Sequence, residues 1–388
     1  MSRFVSSLVV VALCTGCATV PKPQSQIGTA DLLDGHALFG ETVAAAEAPD
    51  VDMLALSPAM REFLRQNVRD SASDDMRLAQ LLRGMKSAGY FDVVYDTNLT
   101  LTAAETFDRR TGNCLSYTSL FVTLARGARL EASFQVVDVP PMWDSIDDWV
   151  ILNTHINSVV RGIRVTSKFD QDFIIDFNTA DYRGKFPTRA VGDDTAEALF
   201  QSNRGVEALR AGYTRVAFAS FKRALALDPR IAPAWVNIGA LYSRLDDPER
   251  AVAAYERAVA IQPSNKPALT SLARLYDRMD NPRLAQQYRA RIRTYQDRNP
   301  YFHYSLAHQA YLAADYPRAL AQIKRAISLK KDDDKLYFLQ GLIHYRNGDL
   351  SAAQASLERA HRYSEAPALK ERYAAKLAVL AGGSTHAK

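Results

Sequence analysis

Three side chains, Cys114, His155 and Asp176, are the candidates in this chain for nucleophilic chemistry at a carbonyl carbon. Cys114 sits in the stretch Arg109-Arg110-Thr111-Gly112-Asn113-Cys114-Leu115-Ser116-Tyr117. Gly112 can turn the chain through positive φ at little cost. Asn113 is a good N-cap, so Cys114 falls in the first turn of a helix. Free backbone N–H groups and the helix dipole favour a negative group there. A thiol so placed has a lowered pKa, and the thiolate is its reactive form. The competing reading is a small buried core residue, a common fate of free cysteine.

A cysteine nucleophile needs a base, and the base needs an orienter. Of the seven histidines, only His36 and His155 precede the repeats described below. His155 opens the apolar alternation 154–160, a strand pattern that places His155, Asn157 and Val159 on one face. Asp176 lies in Phe173-Ile174-Ile175-Asp176-Phe177, pointing away from Ile175 and Phe177. An aspartate inside such an apolar strand needs a partner, because an unpaired buried charge is costly. If the two strands are neighbours, Asp176 holds the His155 ring while its other nitrogen faces Cys114. Taken singly, His155 and Asp176 read equally well as structural residues.

The elements that must position these groups span residues 31–190. Ser57-Pro58 starts a helix to about residue 68, and Ser73 starts another that closes at Gly89. A short strand follows at 91–95. Thr102-Ala103-Ala104-Glu105 is a capping-box pattern for a helix over 103–110. The Cys114 helix runs to about Gly127, with Leu120, Val122 and Leu124 as its buried side. Strand signals then follow at 134–139, 150–152, 156–160 and 173–177. Helices first and strands after predict an α+β domain with an antiparallel sheet. The polar run 179–196 holds Gly184, Pro187 and Gly192, so residues 191–197 are expected to be a linker.

From Ala198 the sequence repeats. Five 34-residue units tile 198–367, beginning at Ala198, Ala232, Lys266, Pro300 and Asp334. The second unit is the clearest: Trp235, Gly239, Tyr242, Ala251, Tyr255, Ala258 and Pro263 sit at the packing positions of a tetratricopeptide repeat. The third unit has Arg289 where an aromatic is expected. Residues 368–388 read as a capping helix and tail. An all-α solenoid of this kind has a concave surface suited to a protein or peptide partner.

At the other end, residues 1–17 have the form of a secretory signal: Arg3, then an apolar run over 4–13 too short to span a bilayer. Small residues before Cys17 resemble the bacterial lipoprotein signal, although Cys14 stands where that signal prefers leucine. The resemblance implies lipidation of Cys17, and Ala18 after it implies sorting to the outer membrane, facing the periplasm. The alternative is ordinary secretion with Cys17 unmodified. Residues 18–30 are a Pro-, Gln- and Ser-containing tether. Once the signal is removed, Cys114 is the only thiol without a lipid.

The formal charge of +5 hides an asymmetry. Residues 1–197 carry 18 Lys+Arg and 26 Asp+Glu, whereas 198–388 carry 30 and 17. A basic half could meet an acidic surface, a membrane or nucleic acid, or be a solvated face. No nucleic-acid motif accompanies the charge, so no nucleic acid is expected. It is also compatible with the basic repeats docking on the acidic half.

The order Cys, His, Asp over residues 90–180 resembles the transglutaminase-like superfamily of papain-type cysteine enzymes. Thr102-Ala103 before a short helix, Arg110, Gly112 and Cys114 opening a helix, Ala125-Arg126 near its end, and His155 and Asp176 on successive strands carry the likeness. A departure is Ala128-Arg129-Leu130, where the family often has Leu-Gly-apolar. The resemblance implies an α+β papain-like domain, Cys114 as nucleophile, His155 as general base and acid, and Asp176 as orienter. The Cys114 backbone N–H would be one oxyanion donor, with Tyr95 the candidate for the second. It leaves open protease, deamidase or acyl transferase chemistry, and also a degenerate docking domain in a non-catalytic scaffold. No Walker loop, His-Glu-x-x-His or Gly-x-Ser-x-Gly pattern competes, and neither cofactor nor metal is expected.

Overall fold

The computed structural model describes residues 26–92, 94–137, 155–166, 169–177, 188–364 and 367–383. The expected signal, Cys14, Cys17, residues 18–25 of the tether, the strand at 150–152 and the tail from 384 lie outside these residues. No helix among the described residues is long and apolar enough to cross a membrane.

The chain begins with two short helices, α1 (Thr29–Leu33) and α2 (His36–Phe39). Helix α3 (Pro58–Asn67) follows, capped by Ser57, whose hydroxyl accepts from the Met60 N–H, and started by Pro58 in its first turn. Next come α4 (Asp74–Ser87), β1 (Val94–Tyr95), α5 (Ala103–Arg109), β2 (Thr111–Gly112) and α6 (Cys114–Gly127). Both bonds of the Thr102–Glu105 capping box form at α5. Four antiparallel strands then make one sheet: β3 (Ala132–Val137), β4 (His155–Thr166), β5 (Phe169–Ile175) and β6 (Thr188–Val191), in the order β5-β4-β3-β6.

Helix α6 is buried on every side, not only along Leu120, Val122 and Leu124: all residues from Leu115 to Ala125 are buried. Its sequence is apolar or small and uncharged throughout this stretch, which marks a helix enclosed by other elements. Its buried hydroxyls are met only in part: Thr118 donates to the Ile156 carbonyl of β4 at 3.2 Å, whereas the Tyr117 and Ser119 hydroxyls find no hydrogen-bond partner among the described residues.

The expected linker 191–197 is corrected by the structure. Val191 closes β6, which pairs with β3 in the register Phe134↔Val191. Helix α7 (Asp193–Arg210) begins two residues later, five before the expected start of the repeats. The run reads as a loop because three of the four β6 residues are exposed on a sheet edge, where polar side chains are tolerated.

Helix pairs then recur at 34-residue intervals. They are α7 with α8 (Thr214–Leu227), α9 (Ala232–Arg244) with α10 (Pro248–Ile261), and α11 (Lys266–Arg278) with α12 (Pro282–Arg298). Two further pairs follow, α13 (Pro300–Leu312) with α14 (Tyr316–Leu329) and α15 (Asp334–Arg346) with α16 (Leu350–Tyr363), and then α17 (Pro367–Gly383). Gly239 permits the close approach within the second pair, since a Cβ there would stand 2.8 Å from the Tyr255 ring. In the third unit Arg289 is turned out to Asp277, and the preceding residue supplies the aromatic. Tyr288 is buried and stacks on Tyr276 at 5.6 Å between centroids. Both tyrosine hydroxyls donate to the buried Glu256 carboxylate.

The apolar core does not divide where the sequence suggests. One cluster runs from Leu32 through α6, the sheet and the repeats as far as Tyr288. A separate cluster begins at Ala307. Residues 31–50, expected in the α+β domain, pack instead on the first repeats. Phe39 meets Phe218 edge-on at 5.7 Å, the Tyr242 hydroxyl donates to the Leu32 carbonyl at 3.0 Å, and Lys222 Nζ donates to the Val43 carbonyl. Arg215 reaches Glu41 and Glu47, and Arg223 reaches Asp50 and Glu197. The charge asymmetry is therefore partly spent in this contact. These pairs are mostly exposed and each contributes little, so the buried aromatics carry the attachment. Phe218→Ala should destabilise the protein by about 3–5 kcal/mol. It should also raise hydrogen exchange over 29–47 before that of α6, as peptide-resolved exchange would show; equal exchange in both regions would mean the strap is not held this way.

Candidate functional site

The turn before α6 is built from Gly112 and Asn113. Gly112 has φ +141°, and a Cβ on it would stand 2.7 Å from the Ser116 side chain, so only glycine fits. Asn113 caps the helix: its Oδ1 accepts from the Ser116 N–H at 3.0 Å. Its Nδ2 donates to Thr100 Oγ1 at 2.8 Å. Ser116 Oγ in turn accepts from the Leu101 N–H at 2.8 Å. The first turn of α6 is thus tied to the loop 99–101, and Cys114 emerges from it half-buried.

The two-residue strands β1 and β2 pair in parallel, with Tyr95 opposite Gly112. This brings the Tyr95 hydroxyl into hydrogen-bonding range of the Cys114 sulfur. On the other side, β3 fixes the start of β4 through Val137↔His155. β4 and β5 are antiparallel neighbours with Ser158 opposite Ile175. One more step of that register sets Asp176 opposite Asn157. Asp176 itself lies just past the end of β5, not within the strand.

The three sequence candidates meet here. His155 Nε2 and Asp176 Oδ2 are 2.7 Å apart, and both residues are buried. Asn157 Nδ2 donates to the same carboxylate oxygen at 3.2 Å. The His155 ring also hydrogen-bonds to the Cys114 thiol, which leaves Nδ1 as the nitrogen for sulfur. His36, the other candidate base, is exposed in α2 and takes no part in this cluster. Phe177 is stacked between Phe91 at 5.8 Å and Tyr117 at 5.4 Å, which anchors the segment carrying Asp176.

The electrostatics follow from these contacts. Burial opposes ionisation of Cys114, yet its pKa lies below the ordinary thiol value of 9.0. The His155 hydrogen bond and charge, the Ile156 backbone N–H and the Tyr95 hydroxyl outweigh the burial. Burial likewise opposes a charged His155, but Asp176 and the thiol push its pKa from 6.5 up to about 9. Between the two transitions the pair is a thiolate beside an imidazolium, stabilised by Asp176 behind it. Such a pair can attack an electrophilic carbon and then hand a proton to a leaving group.

Sequence reading missed two parts of the site. Strand alternation places Asn157 on the face of His155, but does not foretell its bond to Asp176. The other part is the wall opposite Cys114. A cleft of about 60 Å³ runs from Cys114, Tyr95 and Asn98 to Ser202 and Glu207 of α7 and Asn237 of α9. The Glu207 carboxylate accepts from the Thr100 N–H at 2.6 Å, and Arg204 donates to the Thr100 carbonyl. Burial raises the Glu207 pKa above the usual carboxylate range. No local pattern announces this wall, because α7 follows the sheet by a fold-level return. Among the described residues no group of three or more His, Cys, Asp or Glu side chains could hold a metal ion.

Residues 232–265 and 304–367 match tetratricopeptide-repeat family models, so these segments are tetratricopeptide repeats. The first unit, 198–231, and the third, 266–299, lie outside these matches, and the third has Arg289 at the aromatic position. A search of curated proteins found no match. Solved structures similar to this chain include pilF of Pseudomonas aeruginosa, at 16% identity, covering 50% of this chain and 90% of that one, TM-score 0.26. A tetratricopeptide repeat protein from Thermus thermophilus has 20% identity, covering 46% and 98%, TM-score 0.25. Another from Parabacteroides merdae has 21% identity, covering 47% and 71%, TM-score 0.25.

Thiol labelling resolves the ionisation of the site. Alkylation of Cys114 by iodoacetamide, followed on its own peptide by mass spectrometry, should rise with pH at a midpoint below 9. In His155→Ala the largest lowering influences are gone while burial remains, so the midpoint should move upward. At pH 6 the wild-type rate should exceed the variant's by at least about tenfold. Identical profiles would mean that His155 does not activate the thiol.

Proposed function

We propose that this chain is a lipid-anchored envelope protein whose Cys114, His155 and Asp176 act on amide bonds of a protein or peptide, while its tetratricopeptide repeats bind the substrate or a partner. The observation that carries the reading is the hydrogen-bonded series thiol, imidazole, carboxylate, running Cys114–His155–Asp176. The transglutaminase-like resemblance of residues 90–180 agrees with it.

In the proposed reaction the Cys114 thiolate attacks the amide carbonyl carbon. The resulting oxyanion takes hydrogen bonds from the Cys114 backbone N–H and the Tyr95 hydroxyl. The C–N bond breaks as His155 gives its Nδ1 proton to the departing amine, leaving a thioester. Water or an amine then attacks the thioester, His155 accepts its proton, and the thiolate returns. Water makes the protein a protease or deamidase, and an amine makes it a transferase; hydrolysis is favoured slightly, since the sequence carries no visible calcium loop. Asp176 and Asn157 keep the ring aimed throughout. Lipidation at Cys17 would hold the protein at the outer membrane, facing the periplasm.

The second reading is a non-catalytic scaffold, in which the repeats bind a partner and the region 31–190 serves as a degenerate docking domain. The tetratricopeptide match favours it, since such repeats serve protein–protein interaction. The two readings separate in a proteome-wide comparison of cells expressing wild-type protein or Cys114→Ala. The enzymatic reading expects new N-termini, glutamine-to-glutamate conversions or isopeptide cross-links that depend on Cys114. Which of the three is found assigns the reaction. Indistinguishable proteomes, with full complementation by Cys114→Ala, would leave the scaffold.

A further inference from the structure

A second cavity lies on the repeats. It has a volume of about 490 Å³ and is lined by Ser243 and Arg244 of α9, Tyr255 of α10, and Ser271, Arg274 and Arg278 of α11. Three arginines and two serines line one space, and none of the described residues lining it is acidic. Arg278 pairs with Asp246 at 2.8 Å, and Arg244 and Arg274 also have contacts within the chain. Planar, multi-donor guanidinium groups fixed around a cavity are suited to carboxylates.

This cavity is joined to the Cys114 cleft by one helix face. Pro233 and Asn237 of α9 line the cleft, whereas Ala240 and Arg244 line the cavity. The spacings 4, 3 and 4 put all four residues on the same side of the helix. Eleven residues of helix rise about 16 Å. An extended peptide covers that distance in about five residues. The small cleft beside Cys114 is lined by one acid and one base, Glu207 and Arg210, and so lacks the concentration of positive charge that the arginine cavity has.

We propose that the repeats select an extended peptide segment with a cluster of acidic side chains, seat that cluster among Arg244, Arg274 and Arg278, and so present a small uncharged residue about five positions away to Cys114. This deepens the amide-directed reading of the site and rests on it for the presentation step. Seating of the acidic cluster does not require a reactive thiol.

Two measurements on the full chain separate these parts. The first is fluorescence anisotropy of fluorescein-labelled hexaglutamate with the Cys114→Ala protein. Binding should weaken at least tenfold in a background of Arg244→Glu with Arg274→Glu, but by less than twofold with Arg293→Glu, a charge reversal on an exposed part of α12. Hexalysine should not bind. Equal binding by all variants, or none by the parent, overturns the acidic-segment proposal whatever the thiol does. The second uses the native thiol and peptides bearing a chloroacetyl group at either end, separated from a glutamate run by one, five or ten Gly/Ser residues. Cys114 labelling should be fastest with the five-residue spacer, and that advantage should vanish in the double arginine variant. Equal rates at all spacers, with hexaglutamate still bound, would overturn the presentation step. Slow labelling by iodoacetamide as well would instead count against the catalytic reading itself.

Discussion

Burial of α6 on every side from Leu115 to Ala125 is the constraint from which the rest of the structure follows. A helix without a solvent face must be covered all round, and its backbone leaves only one end open for chemistry. The helices α3 to α5 cover it from one side and β3 and β4 from the other. Some of its polar side chains bond into that cover, as Thr118 does to Ile156. At the exposed end, Gly112 and Asn113 hold Cys114 in the first turn, where the helix dipole and the N–H groups that the Asn113 cap leaves over favour a thiolate. The sheet that packs on α6 is the same sheet that carries His155, so the covering of the helix also supplies the partner of its thiol.

The site is consequently stiff in some directions and dependent on its neighbours in others. His155 and Asp176 are buried, mutually hydrogen-bonded and braced by Asn157 and the Phe177 stack. The approach to Cys114 is closed instead by the first repeat helix. Asn113, Thr100 and Glu207 form a chain of hydrogen bonds from the N-cap of α6 into α7. Thiol region and first repeats also share one apolar core that extends to Tyr288. A repeat array normally stacks on itself and needs capped ends. Here the strap 31–50 and the thiol region occupy the place of an N-terminal cap. The core breaks between the third and fourth units, where α12 is longer than the other second helices and is followed by α13 after a single residue.

Much of this was legible in the sequence because it rests on local rules. The turn at Gly112, the Asn113 cap, the capping box at Thr102 and the strand opening at His155 all depend on a few adjacent residues. The 34-residue period is equally local: Gly239 and Tyr255, or Gly205 and Phe221, must meet within one helix pair, so each unit repeats the same demand. Even the grouping of Cys114, His155 and Asp176 was suggested by side chains that would be costly to bury alone. Arg289 showed a fault in the third unit, but not that Tyr288 would take over the packing from one position earlier.

What the sequence by itself determined, then, is the set of elements and the candidate chemistry: a capped thiol helix, an alternating strand with a histidine, an aspartate needing a partner, and a helical array. Tertiary structure alone decided how they are shared out. Residues 191–197 became the end of β6 and the start of α7, not a linker, because an edge strand can be polar and a helix start resembles a turn. The strap at 31–50 left the thiol region for the repeats, because Phe218 and Tyr242 offer it a surface more than 160 residues away. The wall facing Cys114 likewise came from α7 and α9. Such contacts depend on which surfaces the completed fold brings together, and no window of adjacent residues records that.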